Sequence, residues 1–460
     1  MDYDFIIIGG GPSGLTLALY LAEIGKNCML IDKNSSLGGC HRVTRTETGE
    51  FTEHGPRVYS SAYKNVDSML KKINTNWNET FTPYKFNIGD IGGTTFNNLS
   101  LREKFLIGIQ FIPLFFGIEK RNLSIGEFIN NNNFSSSSKD YIDRICRLTD
   151  GAGSDRYTLY QFLQLYNENV FEALYQPKHP NDHHLFHLWE KKLIELGVTI
   201  FKNTNVLSIN DHTVHTDTAG SFTGKKVLIC IPPKPFVSLL KKSSLSHIWS
   251  GVDVEKWSET NSYIIDIPIT FHWKQKVDMP KVWGFPRDDW AIAFIILSDY
   301  MKVEDNYNFV ISTCITRIYA KSSKTGKTAV ESTQEEMIEE VFRQLRISFP
   351  QLPKYDKAIV HKTTLFEEDT AFVETANGSF IPMNEKDIYY IGTQNGNSFY
   401  SFTSMESAVT NSLYALKKLD ERFSSLNIRK SFTLIQILRF ILLIIFLLII
   451  ILLLKNGTTT

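Results

Sequence analysis

The chain opens on a short uninterrupted apolar block, YDFIII (Tyr3–Ile8), rich in β-branched side chains. Such a run predicts a strand buried on both faces, as in a parallel sheet. Glycines at 9, 11 and 14 follow, then a helix-forming apolar stretch over residues 15–24, closed by Gly25 as a C-terminal stop. Cys28–Ile31 predicts a second strand, ending in Asp32. Residues 197–235 alternate strand-like runs and end in a buried strand stopped by Pro232 and Pro233. Residues 388–391 form a further short strand that meets Gly392. A helix is predicted to start near Ser404, whose hydroxyl, with Glu406 behind it, suits the orphan amides of a helix start.

Strand, glycine turn, helix, strand and acid in this register form a dinucleotide-binding signature. Gly9 allows the tight turn, Gly11 lets backbone approach a pyrophosphate, and Gly14 lets helix and strand pack closely. Pro12 and Ser13 lie inside the turn. Asp32, eighteen residues past Gly14, can accept hydrogen bonds from a ribose, with Lys33 beside it.

The next residues, GGCHRVTRTETGEFTEHGPRVYS (38–60), resemble the flavin-containing amine oxidase superfamily, which includes amine oxidases, phytoene desaturases and protoporphyrinogen oxidases. The resemblance implies FAD. It places Gly38, Gly39 and Arg42 at the cofactor phosphates, with Cys40 and His41 intervening where the family pattern is tighter. It sends Gly55 and Pro56 past the isoalloxazine ring, where small residues admit backbone beside a flat ring. It matches Val206 to a backbone contact with adenine. It reads IGTQNGNSFYSFTSMESAV, with Gly392, Met405 and Glu406, as the closing motif whose helix N-terminus faces the flavin. Ser407 and Gln394 replace a usual glycine and acid. Amine oxidases of this superfamily usually carry a lysine on a central strand; its counterpart here is Tyr263, and no lysine occurs between Lys256 and Lys274. Catalytic candidates are therefore Arg57, Tyr263 and Tyr400, with His54, Tyr59 and Phe399 as further cavity residues. Hydride transfer to the flavin itself does not require the lysine.

These pieces imply an α/β architecture: a discontinuous Rossmann-type FAD-binding domain (1–62, 181–254 and 356–425) and an inserted α+β substrate domain (63–180 and 255–355). A C-terminal transmembrane helix (434–454) and a short tail (455–460) follow. Within the insertions, residues 105–118 (FLIGIQFIPLFFGI) are expected to be helical core, a patch dipping into lipid being the alternative. Residues 130–138 (NNNNFSSSS) are expected to be a polar surface loop. The GKT in residues 321–330 lacks the opening glycine of a phosphate loop. His179, His183, His184 and His187 read as solvated residues at a helix entry, not metal ligands, because no carboxylate pair or cysteine completes a shell.

The tail changes the picture most. Residues 434–454 would span about 31 Å as a helix, enough for a bilayer core, with Gln436 and Arg439 near one end. Arg422, Arg429 and Lys430 precede it, Arg439 lies at its leading end and only Lys455 follows, which predicts a cytosol-facing enzyme on a single-pass anchor. No signal peptide is expected ahead of the first strand. Lysine plus arginine equal aspartate plus glutamate at 49 each, so nothing favours a nucleic-acid partner. Five scattered cysteines without a CxxC pair favour a reducing compartment. The expected activity is hydride transfer from a small apolar or amine substrate to FAD, with oxygen as acceptor. The alternatives are a non-catalytic flavin-binding scaffold at a membrane and a non-redox flavin enzyme of the UDP-galactopyranose mutase type. Oligomeric state leaves no signature.

Overall fold

The computed structural model describes residues 2–457 apart from 85–97, 169–172, 244, 250, 280–287, 304–305, 362–371, 375–379, 384–385 and 399–402. Its main sheet draws strands from three distant parts of the chain. Thr199–Phe201, Cys28–Ile31, Tyr3–Ile8, Ser221–Ile229, Thr213–Thr216 and Val206–Asn210 follow one another, and Ile388–Tyr390 also pairs with Ser221–Ile229. The pairings among the first four and with Ile388–Tyr390 are parallel, while residues 206–229 form an antiparallel meander. Ile8 lies level with Ile31 on one side and Ile229 on the other, and Ile229 with Tyr390. Four strands therefore end at one edge, which is where open α/β sheets place ligands.

The first helix runs Pro12–Glu23, three residues longer at its start than the apolar pattern predicts, because Pro12 suits the first helical position. It packs against the closing helix Met405–Leu419, whose N-cap Ser404 accepts the amide of Ser407 at 3.1 Å.

A second, antiparallel sheet runs in the order Ile292–Ile296, Phe309–Ile315, Ile267–Trp273 and Lys357–Val360. Its first three strands are buried throughout. One face packs on Gln334–Ser348 through Met337, Val341 and Leu345. The other packs on Ser136–Asp150 and Leu159–Asn167 through Ala293, Ile295 and Val310.

Two expectations are corrected. Residues 130–138 are a helix junction, not a loop: Ile125–Asn131 ends there and Ser135 caps Ser136–Asp150 by accepting the amide of Ser138 at 3.2 Å. Residues 105–118 are only partly core. They break into Leu101–Gly108 and Phe111–Phe115, which bury Ile107 and Leu114 but leave Phe105, Ile112, Phe116 and Ile118 exposed. Helices this short turn one stripe to the core, so an apolar sequence on the other stripe faces outward.

The C-terminal helix Leu434–Gly457 contains a 21-residue apolar segment, Leu434–Leu454, of mean hydropathy 3.5, long enough to cross a bilayer. Among its described side chains only Ile435 is buried.

Candidate functional site

A cavity of about 800 Å³ lies along the carboxyl edge of the main sheet. Its floor at one end is the start of the first helix, Gly11, Pro12 and Ser13, where backbone N–H groups are unsatisfied by the helix itself. Asp32, Lys33, Gly39 and Arg42 also line it, as do Val206, Leu207 and Thr204, whose amide donates to the Asp32 carbonyl oxygen at 3.0 Å. It ends against Gly392, Thr403 and Met405.

The glycines have separable reasons. Gly9 has φ +106°, and a Cβ there would stand 2.5 Å from the carbonyl oxygen of Cys230. A Cβ on Gly14 would lie 2.0 Å from the Gly9 oxygen, so strand and helix touch at that point. At Gly11 the nearest protein atom to a Cβ is Gly39 Cα at 3.7 Å, an ordinary contact. The protein does not need glycine at 11 for its own packing; the free space is cavity.

Asp32 is buried and already engaged. Its Oδ2 accepts the Gly10 amide at 2.6 Å and its Oδ1 accepts the Asn34 amide at 2.7 Å. The Asn34 side chain also donates to Oδ1, at 3.0 Å; the carboxylate thus pins the turn to the second strand, with the second lone pair of Oδ2 left for a hydroxyl ligand. Arg42 is also buried, donating from Nη1 to the Gly39 oxygen at 3.0 Å.

Of the residues singled out in the sequence, Gly9, Gly11, Pro12, Ser13, Asp32, Lys33, Gly39, Arg42, Val206, Gly392 and Met405 line this one cavity. Gly14 lies behind it. Glu406 is placed elsewhere: its carboxylate accepts the backbone amides of Asn65 and Val66, at 2.9 Å each, and the Asn65 side chain at 2.8 Å. It caps the helix Lys64–Lys72 and fastens it to the closing helix. Burial pushes its carboxyl up to about 7 despite those donors.

Gly55 marks a second polar centre. It has φ +147°, and a Cβ there would stand 3.7 Å from Cys314 Sγ and 4.0 Å from Asp266 Oδ2. Cys314 donates to Asp266 Oδ2 at 3.0 Å. Asp266 Oδ1, Glu53 Oε1 and Arg57 Nε are buried without a hydrogen-bond partner among the described residues. Arg57 donates to the Cys40 oxygen at 2.6 Å and contacts His54 Nδ1 at 3.2 Å. Burial raises the Asp266 carboxyl and pushes Glu53 up to about 7, the Arg57 guanidinium opposing both shifts. Burial, with the nearby charges of Arg42 and Arg57, pushes His361 down to about 4. Groups left half-satisfied around one point are the mark of a ligand or ordered water.

Sequence reasoning did not find Glu53, Asp266, Cys314 or His361. The available signal was a lone acid, Asp266, in an otherwise apolar run, SYIIDIPITF. Tyr263, three residues earlier, is not at Gly55. It sits on the strand Ser262–Ile264, its hydroxyl donating to the Ser258 oxygen at 3.2 Å and its ring 4.3 Å from Lys234 Nζ. The chain changes sheet between 264 and 267, which moves the acid and not the tyrosine to Gly55. Tyr400 and Phe399 lie outside the described residues. Among the described residues no group of His, Cys, Asp or Glu could hold a metal ion. His183 and His187 are exposed, while His179 and His184 are half-buried against each other, 5.4 Å apart.

Residues 7–73 match the model of the NAD(P)-binding Rossmann-like domain. The chain is 32% identical over 73 residues to the 15-cis-phytoene desaturase of an Oncidium hybrid cultivar, covering 16% of this chain and 12% of that one. It is 36% identical over 71 residues to the UDP-galactopyranose mutase of Mycoplasma pneumoniae, covering 15% of this chain and 18% of the other. The sequence likeness thus spans less than a fifth of either relative. In fold the likeness is far wider. Cyclohexylamine oxidase from Brevibacterium oxydans superposes with a TM-score of 0.67 over 92% of this chain and 100% of that one, at 12% identity. By sequence the opening segment is similar to NAD(P)-binding Rossmann-like domains, and over nine-tenths of its length the chain shares the fold of cyclohexylamine oxidase.

Proposed function

We propose that this chain is a membrane-anchored FAD-dependent oxidoreductase that takes a hydride from a small apolar or amine substrate and passes the electrons to oxygen. The observation that carries the reading is the pairing of two features. One is a cavity running from a helix N-terminus past a ribose-type acid; the other is a buried acid, thiol and guanidinium cluster at Gly55. The cavity fits a dinucleotide, since Gly11 and Gly39 face it without side chains.

The helix start at Gly11–Ser13 would take the pyrophosphate, the remaining lone pair of Asp32 Oδ2 a ribose, and the backbone near Val206 the adenine. Bound FAD supplies the hydride acceptor. Gly55 and Pro56 keep side chains out of the space beside them. Asp266, its carboxyl raised by burial and its Oδ2 held by the Cys314 thiol, is the group best placed to exchange a proton with substrate. With Glu53 protonated, Arg57 balances the charge of an ionised Asp266. The domains are read as 1–62, 181–254 and 356–425 for FAD, 63–180 and 255–355 for substrate. The apolar helix is read as a single-pass anchor with the enzyme on the cytosolic side, because basic residues gather before it.

The test is anaerobic mixing of the purified yellow protein with amines, porphyrinogens, carotenoid precursors and sterols while the flavin bands are watched. Bleaching by one class, reversed by air with oxygen consumed, supports the reading. A folded, colourless preparation would end it. A mutase-type reaction without net redox is the second reading, favoured by the 36% identity to UDP-galactopyranose mutase. It requires turnover by pre-reduced enzyme with no oxygen uptake.

A further inference from the structure

The C-terminal helix does not leave the body at its first residue. The Ile435 amide donates to Asn167 Oδ1 at 3.0 Å, and Ile435 is buried in the core cluster. One turn later Arg439 donates to the Phe115 oxygen, its guanidinium 5.2 Å from the Phe115 ring. From residue 440 to 454 no side chain is buried. Residues 440–454 rise about 22 Å, short of the roughly 30 Å of a bilayer's hydrocarbon core. The missing length, about 8 Å, is close to the rise of 434–439, where the C-terminal helix meets the helix Phe111–Phe115.

That helix, the turn that follows it and the neighbouring helix Leu101–Gly108 carry the exposed apolar residues that the core does not use. Leu101 is 84% exposed, Phe105 66%, Ile112 59%, Phe116 73% and Ile118 59%. Arg102, Lys104, Lys120 and Arg121 flank them, and Arg429 and Lys430 precede the anchor. Glu103 is buried as the cap of its own helix, and Glu119 pairs with Arg121 at 2.7 Å and cancels that one cation, which leaves Arg102, Lys104 and Lys120 on the rim. Apolar side chains ringed by cations match the interfacial layer of a membrane with anionic lipids.

We infer that residues 101–118 form a shelf embedded in the same bilayer that the C-terminal helix crosses, sunk to about the depth of that missing helical length. The inference rests on the anchored reading above. It commits the protein to one orientation, lying on the membrane with the face around Phe116 inward instead of standing off on a free tether.

The native full chain, reconstituted in vesicles of phosphatidylcholine with a minority of phosphatidylserine, tests this. The probe is a phosphatidylcholine carrying a photoactivated diazirine in its acyl chain, with labelled peptides mapped by mass spectrometry. Label in both 434–454 and 101–118, and none in the exposed turn at 321–327, is the expected result. Label in 434–454 alone overturns the shelf and leaves the anchor standing. Label in neither overturns both. The full-chain variant F105D/F116D, altered only at exposed positions, should lose label in 101–118 and keep it in 434–454. Unchanged labelling of 101–118 in that variant also counts against the shelf.

Discussion

Cys314 holds its thiol proton toward Asp266 Oδ2 at 3.0 Å, and both stand at the side-chain-free face of Gly55. Neither residue lines the long cavity, so altering them should leave FAD binding intact while changing chemistry. Asp266→Asn removes a proton-holding group but keeps its shape. Flavin reduction by substrate is expected to slow by about a hundredfold, the usual scale for a positioned acid or base. Cys314→Ser retains a donor to Asp266 and should stay near the parent rate; Cys314→Val should not. Stopped-flow reduction with flavin content measured in parallel decides. Equal rates in Asp266→Asn and parent would remove Asp266 from the chemistry.

Gly11 and Gly14 should fail in opposite ways. Gly14→Ala drives a methyl to 2.0 Å from the Gly9 oxygen, so the opening strand and helix separate and the protein is expected not to fold. Gly11→Val meets no backbone closer than Gly39 Cα at 3.7 Å but fills cavity space. It should fold with nearly parental secondary structure by circular dichroism and emerge from desalting without flavin. A yellow Gly11→Val protein would place the cofactor elsewhere.

The buried carboxyls work against stability as pH rises toward neutrality. Burial raises Glu53 from an ordinary 4.5 to about 7, and Asp288 and Glu406 also reach about 7. Between these limits the folded protein keeps protons that the unfolded chain has released, so each rise in pH favours unfolding. For Glu53 alone the loss is of order 3 kcal/mol, complete by about pH 7. Below about pH 4 the opposite set takes over, because hydrogen bonds and Arg147 hold Glu103 and Asp143 near 2 and their stabilisation disappears on protonation. His272 and His361, pushed by burial down to about 4, act in the opposite sense over the lower part of this range, so the Glu53 contribution is read as the difference between variant and parent thermal midpoints of cofactor-free protein across pH ~4 to 8. Glu53→Gln should flatten the neutral limb; a curve parallel to the parent's would show that Glu53 ionises freely.

The parts of the site that sequence made legible are those built from local pattern. An apolar run, a glycine turn and a terminal acid within 32 residues specify one strand–helix–strand unit, and the fold reproduces its geometry around Gly9, Gly14 and Asp32. The centre at Gly55 was not legible because its members meet only through long-range register. Glu53 comes from the hairpin Phe51–Glu53, Asp266 from the residue before Ile267–Trp273, and Cys314 from the strand position opposite Pro268. A shift of one residue in that register would turn Cys314 to the other face. Glu406 shows the converse limit. Its place at a helix start suggested a ligand-facing acid, but a carboxylate there can also reach a neighbouring helix, and it reaches Lys64–Lys72.

That placement gives the last prediction. Glu406 joins the closing helix to Lys64–Lys72 through the amides of Asn65 and Val66 and the Asn65 side chain, which itself donates to the Arg429 oxygen at 3.0 Å. Through Asn65 the same carboxylate steadies the segment that leads into the C-terminal helix. Glu406→Ala leaves buried amides without acceptors, a loss of about 2–4 kcal/mol. Glu406→Gln keeps an acceptor oxygen and should recover part of it, more so at neutral pH, where the native carboxyl is close to losing its proton. Because Glu406 does not line the cavity, flavin bound per folded molecule should be unchanged in both variants. Denaturant midpoints with flavin stoichiometry separate the two roles. A variant of parental stability that drops its flavin would return Glu406 to the cofactor and contradict its placement at Asn65.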